Sequence, residues 1–149
     1  MKTTQRLIYI CTALLAITFT SCEYYYTDEL FKGFWQVKSI EHRNTGETTL
    51  PEGKAYYAFQ RHMIQLSYIG PDKVEGYEPV CYLSYFIHEG DSLHTGPFRI
   101  YHEDEVIVPL SELKKFGIYT QETVFKVEET TKRQMTLTSD SAIITLRQY

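Results

Sequence analysis

The chain has 149 residues, with 15 Lys and Arg against 19 Asp and Glu and a net charge of −4. Charges are mixed along it with no basic block, which argues against nucleic acid or an anionic lipid surface as a partner, since both need clustered Lys and Arg. This length makes one domain large enough for a core of its own, and the 15% aromatic content gives that core bulky material.

The first segment differs from the rest. Lys2 and Arg6 precede an apolar run over residues 7–19, closed by the small residues Thr20 and Ser21 and then Cys22. Basic start, apolar middle and small end form the plan of a secretory signal, and the run falls short of the ~20 residues that span a bilayer. Phe19-Thr20-Ser21-Cys22 resembles the lipobox of bacterial lipoproteins, with Phe19 where Leu is usual. The resemblance implies removal of residues 1–21 and lipidation of Cys22, hence a lipid-anchored protein at the outer membrane or cell surface. Without that segment the chain holds 13 Lys and Arg against 19 Asp and Glu, a net charge of −6. Cys11 leaves with the signal and Cys22 is consumed as a thioether. Cys81 is then the one free thiol and no intrachain disulfide is expected; flanked by Val80 and Tyr82, it reads as a small buried hydrophobe.

Residues 22–30 read as a tether, with Tyr24-Tyr25-Tyr26 suited either to a membrane interface or to packing on the domain. The domain occupies residues 31–149. Its first strand opens at Gly33-Phe34-Trp35, with Trp35 and Val37 on one face; Ile40 falls out of phase, which predicts a bulge. Further strands are predicted over 55–59, 62–69 and 80–88. The last of these is apolar on both faces, the mark of a strand buried on both sides or lying under a lid or partner. A hairpin at Glu89-Gly90-Asp91 leads to a strand at 92–95. Short strands at 98–102 and 105–108 flank a turn at Glu103-Asp104. Residues 109–117 read as a short helix capped by Ser111, carrying an apolar stripe of Leu110, Leu113 and Phe116 and stopped by Gly117. Strands at 123–128, 134–138 and 142–146 finish the chain.

Eight to nine short strands with close turns predict an all-β antiparallel barrel or sandwich, and the absence of alternating helices excludes a parallel α/β sheet. Gly33-Phe34-Trp35 is similar to the Gly-x-Trp start of lipocalins. Leu113-Lys114-Lys115-Phe116-Gly117, Phe125-Lys126-Val127-Glu128, Gln134-Met135-Thr136-Leu137 and Leu146-Arg147 resemble the small lipocalin-like lipoprotein domains of Bacteroides and other Bacteroidota. The resemblance implies an up-and-down β-barrel with one short helix before the last three strands. It also implies that Trp35 closes one barrel end beneath Arg147, a cation–π contact of roughly 0.5–2 kcal/mol.

His42, His62, His88, His94 and His102 match no compact ligand spacing, so no metal or other cofactor is expected. Without a nucleophile motif or a phosphate loop, catalysis is not expected either. Alternation turns Tyr57, Phe59, Tyr82, Ser84 and Phe86 inward. An eight-stranded barrel either fills with side chains or holds one small ligand. The leading expectation is therefore a small hydrophobic or amphipathic molecule lined by those five residues. The alternative is a filled barrel serving as an interaction module for an envelope protein, working through an exterior patch or the loop at 70–79.

Overall fold

The computed structural model describes residues 29–70, 80–131 and 133–149. Eleven strands follow one another: β1 (Phe34–His42), β2 (Thr48–Thr49), β3 (Lys54–Gln60), β4 (Met63–Ile69), β5 (Val80–Glu89), β6 (Ser92–Thr95), β7 (Arg99–Ile100), β8 (Glu103–Ile107), β9 (Thr123–Thr131), β10 (Gln134–Thr138) and β11 (Ala142–Gln148). Eight of them close into a ring in the order β1-β3-β4-β5-β6-β9-β10-β11 and back to β1, every neighbour antiparallel. β2 hangs on β1, β7 lies beside β5 and β8 beside β7. The fold is an all-β up-and-down barrel, and the sandwich is set aside because one continuous sheet returns to its own first strand.

Period-two alternation drives the closure. β3 buries Ala55, Tyr57 and Phe59, β4 buries Ile64 and Leu66, β5 buries Tyr82, Ser84 and Phe86, and β11 buries Ala142, Ile144 and Leu146. In β1 the register with β11 shifts between Val37 and Ser39. This is the bulge that Ile40 demands: one extra residue returns Ile40 to the inside, where it is 3% exposed.

Two local expectations are corrected. The reversal expected at Glu103-Asp104 falls instead at Tyr101 and His102, with His102 at φ 73°, and Glu103 already begins β8. A tight reversal needs one residue in the left-handed region, and His102 takes it. The helix α1 (Leu110–Leu113) continues as a 3-10 turn, Lys114–Phe116. Pro109, and not Ser111, holds the cap position; its ring presets the entry torsion and it has no N–H to satisfy. Leu113 and Phe116 are fully buried, while Leu110 stays 37% exposed and drops out of the stripe.

Gly117 stops the helix as expected, in the left-handed region at φ 83°. A Cβ there would also come within 2.7 Å of the Ile144 side chain and 3.4 Å of Ile40. Gly117→Ala is therefore strained in both torsion and packing, and we expect a loss of about 2–4 kcal/mol in urea unfolding. A variant as stable as the parent would show that the helix does not seat against Ile144.

Candidate functional site

The barrel interior was the expected site, and its two ends determine its character. At one end a 3-10 turn, Glu29–Phe31, precedes β1 and inserts Phe31, which has no exposed surface. The Phe31 ring lies 4.6 Å from Phe59, 5.8 Å from Phe86 and 4.9 Å from His88, centroid to centroid. Tilted and edge-on contacts of this kind suit the ring quadrupoles. The Trp35 indole N–H donates to the Phe31 carbonyl at 3.2 Å, and Gln148 Nε2 donates to the Lys32 carbonyl at 2.9 Å.

Trp35 is buried at this end, as the resemblance implied, but Arg147 does not cover it. In register, Trp35 faces Gln148, whereas Arg147 faces Gln36 and lies exposed on the outer surface. Successive residues of β11 point to opposite faces, so Leu146 enters the core and Arg147 cannot.

At the other end the helical segment lies across the barrel. Phe116 sits 6.4 Å from Tyr57, 6.3 Å from Tyr68 and 6.1 Å from Tyr82, each ring edge-on. The Tyr57 hydroxyl donates to the Phe116 carbonyl at 2.7 Å. Burial pushes that hydroxyl far above the ordinary tyrosine range, because the phenolate would lose its hydration. Tyr82 Oη donates to Glu112 Oε2 at 3.1 Å, Lys115 Nζ meets the same oxygen at 2.6 Å, and the ammonium stands 4.5 Å from the Tyr68 ring centroid. The Lys115 hydrogen bond holds the Glu112 carboxyl below its usual range.

Between these ends the five residues expected to line a ligand site are all buried. They pack on one another and on the two plugs: Tyr57 stacks on Phe59 at 6.3 Å and Phe59 meets Phe86 edge-on at 5.5 Å. Ser84 Oγ donates to the Gly96 carbonyl at 2.8 Å.

The histidines scatter. His42 shares a hydrogen bond with Tyr119 Oη at 3.1 Å, His88 packs on Phe31, and His62, His94 and His102 are exposed. Among the described residues no three His, Cys, Asp or Glu side chains gather as a metal ion would require. Cys81 is half-buried rather than in the core: it sits on the outer face of β5, with Gln65 Nε2 at 3.5 Å and Ser67 Oγ at 3.6 Å. Its neighbour Tyr82 takes the inward position, and alternation sends the thiol out. Cys22, the segment expected to be a signal (residues 1–21), most of the expected tether and residues 71–79 lie outside the described residues. A depression of about 690 Å³ lies where the first residues of β9 meet the β5–β6 hairpin and the β10–β11 turn, bordered by Arg43, Asp91, Tyr119, Glu122, Lys126 and Asp140.

A family model for the lipocalin-like domain matches residues 17–149. The chain belongs to the lipocalin-like domain family. Its barrel is similar to the crystal structure of a lipocalin-like protein from Bacteroides uniformis, at 14% identity and TM-score 0.57 over 80% of this chain and 99% of that one. It is also similar to an uncharacterized protein from Bacteroides eggerthii, at 19% identity and TM-score 0.58 over the same shares. No curated protein matches its sequence. The lipocalin-like fold is a framework for ligand binding or for interaction with a partner.

Phe31 and Phe116 are the site residues that sequence reasoning missed as plugs. Phe31 stands alone at the head of β1 with no alternating pattern to assign it a face. Phe116 was assigned to an apolar stripe, but nothing local says that the stripe enters the barrel mouth.

Because the Tyr57 hydroxyl is raised on folding, its contribution is complete below the unfolded value of about 10 and is lost as pH rises above it. Tyr57→Phe leaves the Phe116 carbonyl without its donor and should cost about 1 kcal/mol at neutral pH. The gap between parent and variant should narrow at pH 11, where only the parent carries the penalty of a buried Tyr57 hydroxyl. Urea midpoints at both pH values measure it, and an unchanged gap would contradict the buried donor.

Proposed function

We propose that this protein is a lipid-anchored envelope lipoprotein whose lipocalin-like barrel is filled by its own side chains and acts as an interaction module. The observation that carries this reading is the occupancy of both barrel ends, by Phe31 at one and by Phe116 at the other. With Tyr57, Phe59 and Phe86 packed between them, recognition passes to the outer surface. The depression beside the start of β9 and the β10–β11 turn suits a protein partner, because it sets Arg43 and the ring of Tyr119, both residue types favoured at interfaces, within a polar rim. Anchoring through Cys22 at the outer membrane or cell surface follows from the lipobox resemblance. Neither a metal nor catalysis enters this function.

A second reading has one specific observation in its favour. The Tyr57 hydroxyl is a fully buried polar group whose acceptor is a main-chain carbonyl of the plug. A small amphipathic molecule entering in place of Phe116 would offer its own acceptor to Tyr57, with Phe59, Tyr82, Ser84 and Phe86 around its apolar body.

Native mass spectrometry after incubation with a bacterial lipid extract separates the two. The filled barrel gives the bare protein mass. A stoichiometric adduct that Tyr57→Phe weakens would overturn it in favour of the ligand site.

A further inference from the structure

The outer wall formed by β3, β4 and β5 differs from the rest of the barrel surface. Between Lys54 at one extremity and Glu89 at the other, the outward positions of these three strands carry no charged side chain. In their place stand Tyr56, Met63, Leu83, Tyr85 and Ile87, interspersed with Ala58, Gln65 and Ser67. Met63 faces Tyr85 in register, and Tyr85 and Ile87 are 73% and 61% exposed. On the opposite side, β9 and β11 present Lys126, Glu128 and Arg147 to solvent. The wall continues at its rim into Phe34, 56% exposed, and into Tyr149, whose ring meets Tyr56 at 5.9 Å.

That rim is also where the chain enters. Phe34 follows directly on Glu29–Phe31, Lys32 and Gly33, and only residues 23–28 separate Glu29 from Cys22. The seven steps from Cys22 to Glu29 reach at most about 25 Å. With Cys22 held in a membrane, as the proposed function has it, the uncharged wall lies within tether length of the bilayer surface.

We propose that the β3–β4–β5 wall, with Phe34 and Tyr149 at its rim, rests on the bilayer interface. This inference rests on the reading of Cys22 as a lipid anchor. Tyr and Met suit the headgroup boundary, because each has an apolar body and Tyr a polar tip. Between its two extremities the wall has no carboxylate to desolvate, and Arg99 of β7, which faces Leu83 in register and borders the wall beside Met63 and Tyr85, can keep its guanidinium at the headgroup level, so an acidic protein can approach a membrane by this side.

Residues 29–149 contain the whole ring and its core, so the wall is testable apart from the lipid. This segment, held through an N-terminal polyhistidine tag on phosphatidylcholine vesicles containing a nickel-chelating lipid, would be compared with the free protein by hydroxyl-radical footprinting. Met63 and Tyr85 should label several-fold more slowly on the vesicles, while Val124 on β9 labels equally in both. Tyr85→Glu, an exposed substitution that spares the core, should restore labelling at Met63. Equal labelling with and without vesicles would overturn the proposal. So would protection that appears without vesicles and grows with protein concentration, because a second copy would then occupy the wall. Intact mass of the full chain extracted from membranes separately reads the modification at Cys22. Because the tag replaces the anchor, an unmodified Cys22 would refute the lipid reading without touching the vesicle result.

Discussion

An eight-stranded ring encloses a bore only as wide as the side chains that must fill it. The rest of this structure depends on that constraint. Once β4 pairs with β5 and β11 with β1, no backbone edge remains within the ring, and what is left open are the two mouths. An open mouth would expose the core rings to water, and the chain covers both with aromatic groups of its own. The contacts among Phe31, Phe59 and Phe86 and those among Phe116, Tyr57 and Tyr82 are two solutions to one problem, exclusion of water from a short apolar cylinder.

The plugs are not equivalent. Phe116 belongs to a segment that also buries Val108, Leu113 and Ile118, so the helix end is held by several apolar anchors and by the Tyr57 hydrogen bond. Phe31 is a single side chain on one 3-10 turn, tied by the Trp35 and Gln148 hydrogen bonds to main-chain carbonyls. Displacing the helix would uncover several buried side chains, whereas displacing the turn uncovers chiefly one. Local opening of this barrel should therefore begin at the Glu29–Phe31 turn.

The surface divides along the same ring. β9 presents Lys126 and Glu128 and its first residues border the depression, whereas β3, β4 and β5 carry Lys and Glu only at Lys54 and Glu89. A monomer in water gains nothing from a wall of Tyr, Met and Ile, so a wall of this composition points to an interaction. The two-faced apolar pattern of residues 80–88 has the same origin. One face fills the barrel and the other forms the uncharged exterior.

Much of this was legible in order along the chain. Alternation placed Tyr57, Phe59, Tyr82, Ser84 and Phe86 inside, because a strand has only two faces and the apolar set selects one. Ile40 out of phase announced the bulge, and Gly117 announced the helix stop, since each is a local conflict with a local remedy. The strand count left barrel and sandwich open, and the lipocalin-like barrel was what the resemblance of Gly33-Phe34-Trp35 and the C-terminal stretches implied. What the linear pattern could not decide was how the ends meet. Arg147 was assigned to Trp35 by resemblance, yet the register put Gln148 there, and register across β1 and β11 is settled only when distant strands pair. Phe31 and Phe116 became plugs because ring closure brought a mouth to each of them. A mouth exists only in three dimensions, so its occupant was decided by the tertiary structure and not by any neighbour in sequence.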